Sequence, residues 1–263
     1  LSSGKQIVRA SDDPIGTSSA MLTRSEIRQN QQWSRNADDG LGWLAQMDST
    51  LTGMITGVNR ARDLTLQGMS TGSMSAESRN AMAAEIDQIR ASLLSDANAQ
   101  YNGRPLFGGT TTSATAYDPS GAYLGDATPV SRTVGAGVSV RVDLTGPEAF
   151  GPAGADLFAT LQQISNDLRT NPSALSADLG NLDGVASSMR NALGDVGARY
   201  NRIEQSRQTA DDRVGALRNA LAEIESIDLP ETIMQLQLAD TSYQAALAAT
   251  GRAVKPSLLD FLR

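Results

Sequence analysis

The sequence predicts a mainly α-helical protein, an elongated antiparallel coiled-coil-like rod formed by both chain ends, with a small β insert domain at one tip. Apolar residues recur every seven positions toward both ends of the chain. A short segment between them changes to strict alternation of apolar and polar residues. Aromatic residues make up only 4% of the 263 residues, which suits long helices packed side by side better than a thick globular core.

The first long helix is predicted from Pro14 to about Gly68. Asp13 is placed to cap it, and Pro14 stands at the first helical position, where its missing N–H costs nothing. Two positions of the heptad are apolar along this helix, and their members are Leu44, Leu51, Val58, Met47, Met54 and Ala61. A helix with such a seam needs a partner helix with a matching seam.

A shorter helix follows and ends near a glycine-rich stretch. Ser75 is its predicted cap, and one stripe carries Met82, Ile86, Ile89 and Leu93. The helix is expected to end near Tyr101, at "QYNGRPLFGGTTT". These glycines lack the spacing of a phosphate-binding loop. Because glycine tolerates backbone angles that other residues avoid, the interpretation is a hinge between domains at Gly103, Gly108 and Gly109.

The β insert is predicted over residues 110–151. "VSVRVDL" places Val138, Val140, Val142 and Leu144 on one face of a strand, with Ser139, Arg141 and Asp143 on the other. "DPSG" and "GAG" supply turns. A module entered through glycine hinges is expected to share little core with the helices.

The second long helix follows the insert. Helical periodicity resumes with Leu157, Leu161, Ile164 and Leu168, and "TNPSAL" caps the next helix near Asn171 and Pro172. Heptad positions then continue from Leu182 through Met189, Val196 and Ile203 to Ile224, and a second set runs from Leu179 to Leu221. Leu193, Val196 and Ile203 are expected to pack against the stretch around Leu51, Met54 and Val58.

A separate C-terminal helix is predicted after residue 228. Asp228 and Glu231 form a capping arrangement, and the helix carries Ile233, Leu236, Tyr243 and Leu247 on one stripe. The terminus adds Leu258, Leu259, Phe261 and Leu262. The predicted domains are therefore a helical rod over residues 1–109 and 152–228, the β insert over 110–151, and this C-terminal segment over 229–263.

Composition excludes several classes of function. The net charge is −7 without any run of Lys or Arg, which disfavours nucleic acid and anionic membranes as partners. The chain has neither Cys nor His, which removes thiolate and imidazole chemistry. No apolar run is long enough to span a membrane. Adjacent acids such as Asp211 and Asp212 diverge by about 100° on a helix and cannot flank one substrate bond. We therefore expect neither catalytic nor cofactor-binding nor metal-binding residues.

Several motifs resemble one known family. "LSSGKQIVRASDDPIG", "SRNADDGL" and "VNRARDLTLQG" resemble the N-terminal half of bacterial flagellin and its relatives, and "LADTSYQAALAATGRAVKPSLLDFLR" resembles their C-terminal half. "YNGRPLFGG", the short insert closing with "VDLTGPEAFG", and "LLDFL" resemble the hook-associated branch of this flagellin superfamily, at the hook–filament junction.

The resemblance implies a non-catalytic structural subunit of the bacterial flagellum that joins hook to filament. It implies export through the flagellar type III apparatus to the cell exterior with the help of an export chaperone. It further implies assembly as a ring with copies of itself, between a neighbouring hook-associated protein and flagellin or other filament-side subunits. An inner-tube helix upstream of Leu1 is also implied, as the partner of the C-terminal helix.

Candidate subunit-interface residues follow from the same resemblance. The stretch "NRARDL" matches one that packs against neighbouring subunits in flagellin, which makes Arg60, Arg62 and Asp63 candidates, although Asp63 and Thr65 depart from flagellin's usual residues. Without the resemblance, a solvated helix face is the simpler interpretation of these arginines. The C-terminal apolar residues given above complete the candidate interface.

Two alternatives to the junction function remain. The first is flagellin itself, the filament subunit, because the superfamily motifs are shared. The second is a carbohydrate-binding surface protein, which requires exposed aromatic residues in the insert. The candidates for that role are Tyr117, Tyr123 and Phe150.

Overall fold

The computed structural model describes Gln6, Ser11, residues 13–70 and residues 75–253. Its helices are α1 (Pro14–Gly68), α2 (Ala76–Ala97), α3 (Gly146–Phe150), α4 (Leu157–Thr170), α5 (Leu175–Glu225) and α6 (Leu229–Ala253), with one 3-10 turn at Pro172–Ala174. Its strands are β1 (Gln100–Tyr101), β2 (Arg104–Pro105), β3 (Ser131–Gly135) and β4 (Val138–Arg141). The predicted class, mainly helical with a small β insert, is confirmed.

Helix starts follow the capping residues in the sequence. Asp13 Oδ1 accepts hydrogen bonds from the backbone N–H of Ile15 (3.1 Å) and Gly16 (2.9 Å), and so begins α1. Ser75 accepts from the N–H of Ser78 (3.2 Å) at the start of α2. Asp228 accepts from the N–H of Glu231 (3.3 Å) at the start of α6. These three predicted caps are confirmed. The fourth, at Asn171, is wrong, because Asn171 makes no side-chain capping hydrogen bond and precedes the 3-10 turn instead of α5.

The chain divides into two compact units. The first unit comprises residues 1–29 and 213–263, and therefore holds the beginning of α1, the end of α5 and the whole of α6. Within it, Arg24 forms an ion pair with Glu225, and Arg213 lies 3.5 Å from Glu26. These pairs join the first part of α1 to the last part of α5.

The second unit, residues 30–212, contains an antiparallel helix pair. Arg62 Nε of α1 lies 2.7 Å from Asp183 Oδ1 of α5, and Ser34 Oγ donates to Asp211 Oδ1 (2.8 Å). Positions on α5 therefore rise as positions on α1 fall, as expected for antiparallel helices. In this unit the first heptad set of α5 is buried from Leu182 to Ala210. The predicted pairing of the two long helices is confirmed within this unit.

The register of that pair differs from the expectation at one position. Ile203 lies opposite Gly40, because a Cβ built on Gly40 would meet Ile203 Cδ1 at 3.1 Å. The expectation had placed Ile203 near Leu51, Met54 and Val58, which is wrong by about three helical turns. Heptad repeats look alike along a helix, so the sequence pattern alone does not select one register.

The β insert packs against the sides of α1 and α5. Arg132 Nε of β3 lies 2.7 Å from Asp39 Oδ2 of α1, and Asn36 Nδ2 donates to the carbonyl oxygen of Thr133 (2.8 Å). Arg199 of α5 donates to the carbonyl oxygen of Asp143 (2.7 Å). The insert thus lies beside the middle of α1, so its predicted position at one tip of the helices is wrong, because polar contacts between residues distant in sequence position it and carry no periodicity.

The insert also shares one hydrophobic core with the helices. Val130, Val134, Val140, Val142 and Leu144 belong to the same buried cluster as the seams of α1 and α5. The expectation that the insert shares little core is therefore wrong. Its physical reason is the small size of the insert, whose two-stranded sheet β3–β4 cannot bury its own apolar face.

Candidate assembly surfaces

α6 carries an exposed apolar stripe on one side, and Met234 and Leu238 are exposed on another side. Its stripe consists of the predicted residues Ile233, Leu236, Tyr243 and Leu247, all exposed, with Tyr243 at 65% of its surface. Leu229 continues the stripe by one turn toward the start of the helix, because residues three to four apart share a face. Large apolar side chains grouped in this way mark interaction sites in soluble proteins. The predicted residues Leu258, Leu259, Phe261 and Leu262 lie outside the described residues.

A second apolar group lies at the beginning of α1 in the same unit. Ile15, Met21 and Leu22 are all more than half exposed. Sequence reasoning missed them as candidate interface residues, although one signal was available. They precede the buried heptad positions that begin further along α1, so apolar residues there have no seam to join.

The candidates Arg60, Arg62 and Asp63 lie on α1 in the second unit. Arg60 lies 2.6 Å from Glu85 of α2, and Arg62 lies 2.7 Å from Asp183 of α5. The hydrogen bond and charge of Asp183 raise the pKa of Arg62 above its ordinary range. Asp63 is exposed. Both arginines therefore join α1 to neighbouring helices of the same chain while part of each side chain stays exposed.

The glycines that are predicted to form a hinge lie in the β1–β2 hairpin and in the closely packed segment that follows it. Asn102 (φ 50°) and Gly103 (φ 75°) form the two-residue turn of the β1–β2 hairpin, in which Tyr101 pairs with Arg104. A Cβ on Gly109 would meet the carbonyl oxygen of Asp126 at 2.5 Å. The Asn-Gly pair was the available signal for this hairpin. The hinge role of Gly103, Gly108 and Gly109 stays a prediction.

A charged cluster holds the end of the insert. Arg141 donates two hydrogen bonds to the Glu148 carboxylate (2.9 and 2.7 Å) and a third to Asp143 Oδ1 (2.7 Å). Glu148 also accepts from the backbone N–H of Thr145 (2.9 Å), which begins α3. The Arg141 hydrogen bond is the main cause that lowers the pKa of Glu148 to about 2. Asp143, expected on the polar face of its strand, is fully buried here.

The aromatic residues of the insert form a core. Tyr117 is only 3% exposed, and its ring centroid lies 5.0 Å from Phe158 and 5.3 Å from Tyr123. Phe150 is fully buried beside Phe107 at 4.9 Å. Burial raises the pKa of the Tyr117 hydroxyl. The carbohydrate-binding alternative therefore lacks the exposed aromatic platform that it requires.

Metal-binding clusters and membrane-spanning helices are both absent from the described residues. There, no group of three or more acidic side chains is placed to hold a metal ion. Of the helices between Pro14 and Ala253, none has the length and apolar character needed to cross a bilayer.

The sequence is similar to flagellar proteins along nearly its whole length. Residues 1–112 match the family described as the bacterial flagellin N-terminal helical region. The chain is 26% identical to flagellar hook-associated protein 3 of Escherichia coli, with 95% of this chain and 86% of that protein covered. It is also 26% identical to the flagellar filament 33 kDa core protein of Treponema phagedenis, covering 100% of this chain and 90% of that protein.

Solved structures of hook-associated proteins have the same fold. FlgL of Bacillus cereus superposes with a TM-score of 0.67 at 23% identity, covering 76% of this chain and 99% of that one. The flagellar junction protein FlgL of Legionella pneumophila gives a TM-score of 0.64 at 16% identity, covering 79% and 99%. The chain therefore has the fold of these FlgL proteins, and its first 112 residues are similar to the bacterial flagellin N-terminal helical region.

Proposed function

We propose that this chain is a structural subunit of the bacterial flagellum that joins hook to filament. The observation that carries the proposal is its similarity to hook-associated protein 3 over 95% of the chain. The fold shared with a flagellar junction protein supports it. The work of such a subunit is self-assembly rather than catalysis, and it requires no cofactor, nucleic acid or membrane.

The apolar stripe of α6 is the assembly surface that we assign to the segment 229–263. Exposed leucine, isoleucine and tyrosine side chains gain about 1.5–3 kcal/mol each when fully buried, so a stripe of this size favours association. Ile15 and Leu22, on the first turns of α1, extend the apolar surface of the same unit. In this proposal neighbouring copies in a ring cover these residues, and Leu258, Leu259, Phe261 and Leu262 add to the contact.

Arg60, Arg62 and Asp63 are proposed as a secondary, polar contact between subunits. The side chains of Arg60 and Arg62 are 53% and 39% exposed even while they bind Glu85 and Asp183. A guanidinium has five donors, so donors remain for a neighbouring carboxylate. The partners in the proposal are copies of this chain, an adjacent hook-associated protein and flagellin, reached after export with a chaperone to the cell exterior.

Flagellin is the second candidate function. The Treponema phagedenis filament core protein matches the chain at the same identity as hook-associated protein 3 of Escherichia coli, which is the specific observation in its favour. The two functions place the protein differently: a junction subunit lies only at the filament base, whereas a filament subunit lies along its entire length.

Immunogold electron microscopy of isolated flagella tests the proposal. With antibody against the insert, residues 110–151, we expect gold particles only at the junction of hook and filament. A strain that lacks the gene should carry hooks without filaments and release flagellin into the medium. Labelling along the whole filament would overturn the junction proposal in favour of flagellin. Gold labelling of structures outside the flagellum would contradict both the junction function and the flagellin function.

A further inference from the structure

Two buried carboxyl groups lie where α4 ends and α5 begins, and the side chain of Asp178 is within hydrogen-bonding reach of the side chain of Asp167. Asp167 lies in the last turn of α4 and Asp178 in the first turn of α5, and each residue is only 6% exposed. Oδ2 of Asp178 is buried and has no hydrogen-bond donor within the described part of the chain. Oδ2 of Asp167 accepts from Gln163 Nε2 (2.7 Å). Two buried carboxylates without a shared donor are unfavourable.

The charged groups on the surrounding helices do not neutralise this pair. Arg169 of α4 binds Asp87 of α2 at 2.7 Å, and Arg62 of α1 binds Asp183 of α5 at 2.7 Å. Neither guanidinium forms a hydrogen bond with Asp178. Protonation of one carboxyl group supplies an O–H donor to the other. The proton can exchange with solvent, because Asp178 lines an open groove of about 580 Å³ together with Gln163 and Asn181.

We propose that Asp167 and Asp178 share one proton, which makes the contact between α4 and α5 sensitive to pH. In the protonated pair one carboxyl group donates to the other, and the buried oxygen is satisfied. When the proton leaves, two buried negative charges repel each other across the contact. The contact is therefore strongest in acid and weakest near neutral pH.

The direction of the pH dependence follows from proton binding. Burial and the neighbouring Asp167 raise the pKa of Asp178 from its ordinary value of 3.8 to about 6. Between these values the folded chain binds one proton that the unfolded chain does not, so each added pH unit favours unfolding. The stabilisation is complete below about pH 4 and is lost as the pH rises through about 6.

The test compares urea unfolding of the full chain with that of Asp178→Asn between pH 4 and 8. Asparagine keeps a donor for Asp167 and cannot ionise. The unfolding constant of the wild-type chain, divided by that of Asp178→Asn, should rise about tenfold per pH unit between about 4 and 6 and then level off. Other titrating groups cancel in this ratio. Asp195→Asn, an exposed change of the same kind on the same helix, is the matched control.

A second measurement keeps the proposal testable if Asp178→Asn does not fold. Carboxyl carbon NMR of the wild-type chain should show one aspartate that titrates near pH 6, and Asp167→Asn should remove that titration. A flat ratio in the unfolding experiment would overturn the shared proton. So would an Asp178 carboxyl group that titrates near 4. These outcomes leave the junction function untouched, because that function is tested by localisation.

Discussion

At the scale of single residues, the meeting of helix and insert depends on one glycine. A Cβ on Gly40 would lie 3.1 Å from Ile203 Cδ1 and 3.2 Å from Val142 Cγ1, closer than ordinary packing allows. Glycine therefore lets α1, α5 and the insert approach each other at this point. Ile203 fills the contact and is fully buried. An isoleucine side chain in such a place contributes about 2–3 kcal/mol through burial.

Ile203→Asp should destabilise the fold by several kcal/mol, because it places an unpaired charge in this contact. Thermal unfolding followed by circular dichroism measures the effect. Asn201→Asp is the matched control, since it adds the same charge at an exposed position two residues away on α5. We expect the control to stay within about 0.5 kcal/mol of the wild-type chain. Equal melting temperatures for the two variants would contradict the burial of Ile203.

At the scale of secondary structure, local signals predicted the helices and missed the contacts between distant segments. The start of α1 follows from Asp13 and Pro14, which act on their own first turn. The place of the insert depends on Arg132 and Asp39, which are distant in sequence and carry no periodicity. The sequence likewise indicated the apolar pattern of the α6 stripe, but it did not indicate which surface packs against that stripe. Patterns report which face is buried, and they leave open what buries it.

Replacing residues 111–149 with a short flexible linker should lower the melting temperature substantially. The replacement removes Val142 and Leu144 from the shared core and exposes Phe107 and Phe158, which are now buried. Each exposed aromatic side chain loses roughly 1.5–3 kcal/mol of burial. Helix content should fall partly, since α4 and the middle of α5 lose packing.

A linker that replaces only residues 111–115 serves as the control. These residues lie outside the hydrophobic core, so the melting temperature should change little. If both replacements left stability unaltered, the insert would be an independent module after all. The comparison thus decides whether the shared core stabilises the helices or only covers them.

At the scale of the whole molecule, exposed apolar side chains are distributed unevenly. Among the described residues, most of the large exposed ones lie in the unit formed by residues 1–29 and 213–263, including Ile15, Leu22, Leu236 and Tyr243. The second unit, residues 30–212, buries nearly all of its own. A unit that folds around its own core tolerates isolation, whereas a unit with exposed apolar stripes requires a covering surface. Assembly should therefore depend on the first unit and stability mainly on the second.

Leu236→Asp should separate these two properties. The side chain is exposed in the isolated chain, so thermal unfolding should change by no more than about 0.5 kcal/mol. In a covered subunit contact the same change buries an unpaired carboxylate, which costs several kcal/mol at every copy. Bacteria that carry the variant should therefore export flagellin into the medium without building filaments, as seen by electron microscopy and by loss of swimming.

Gln237→Asp is the matched control, since it adds the same charge to the neighbouring exposed position on a different face of α6. We expect this variant to build filaments and swim. If the Leu236→Asp variant builds normal filaments, the stripe is not part of the assembly surface. Filament loss in both variants would show that charge anywhere on α6 blocks assembly, because a helix surrounded on all sides cannot keep an acidic side chain in solvent. The two substitutions thus distinguish a helix that packs through one stripe from a helix enclosed within the assembled structure.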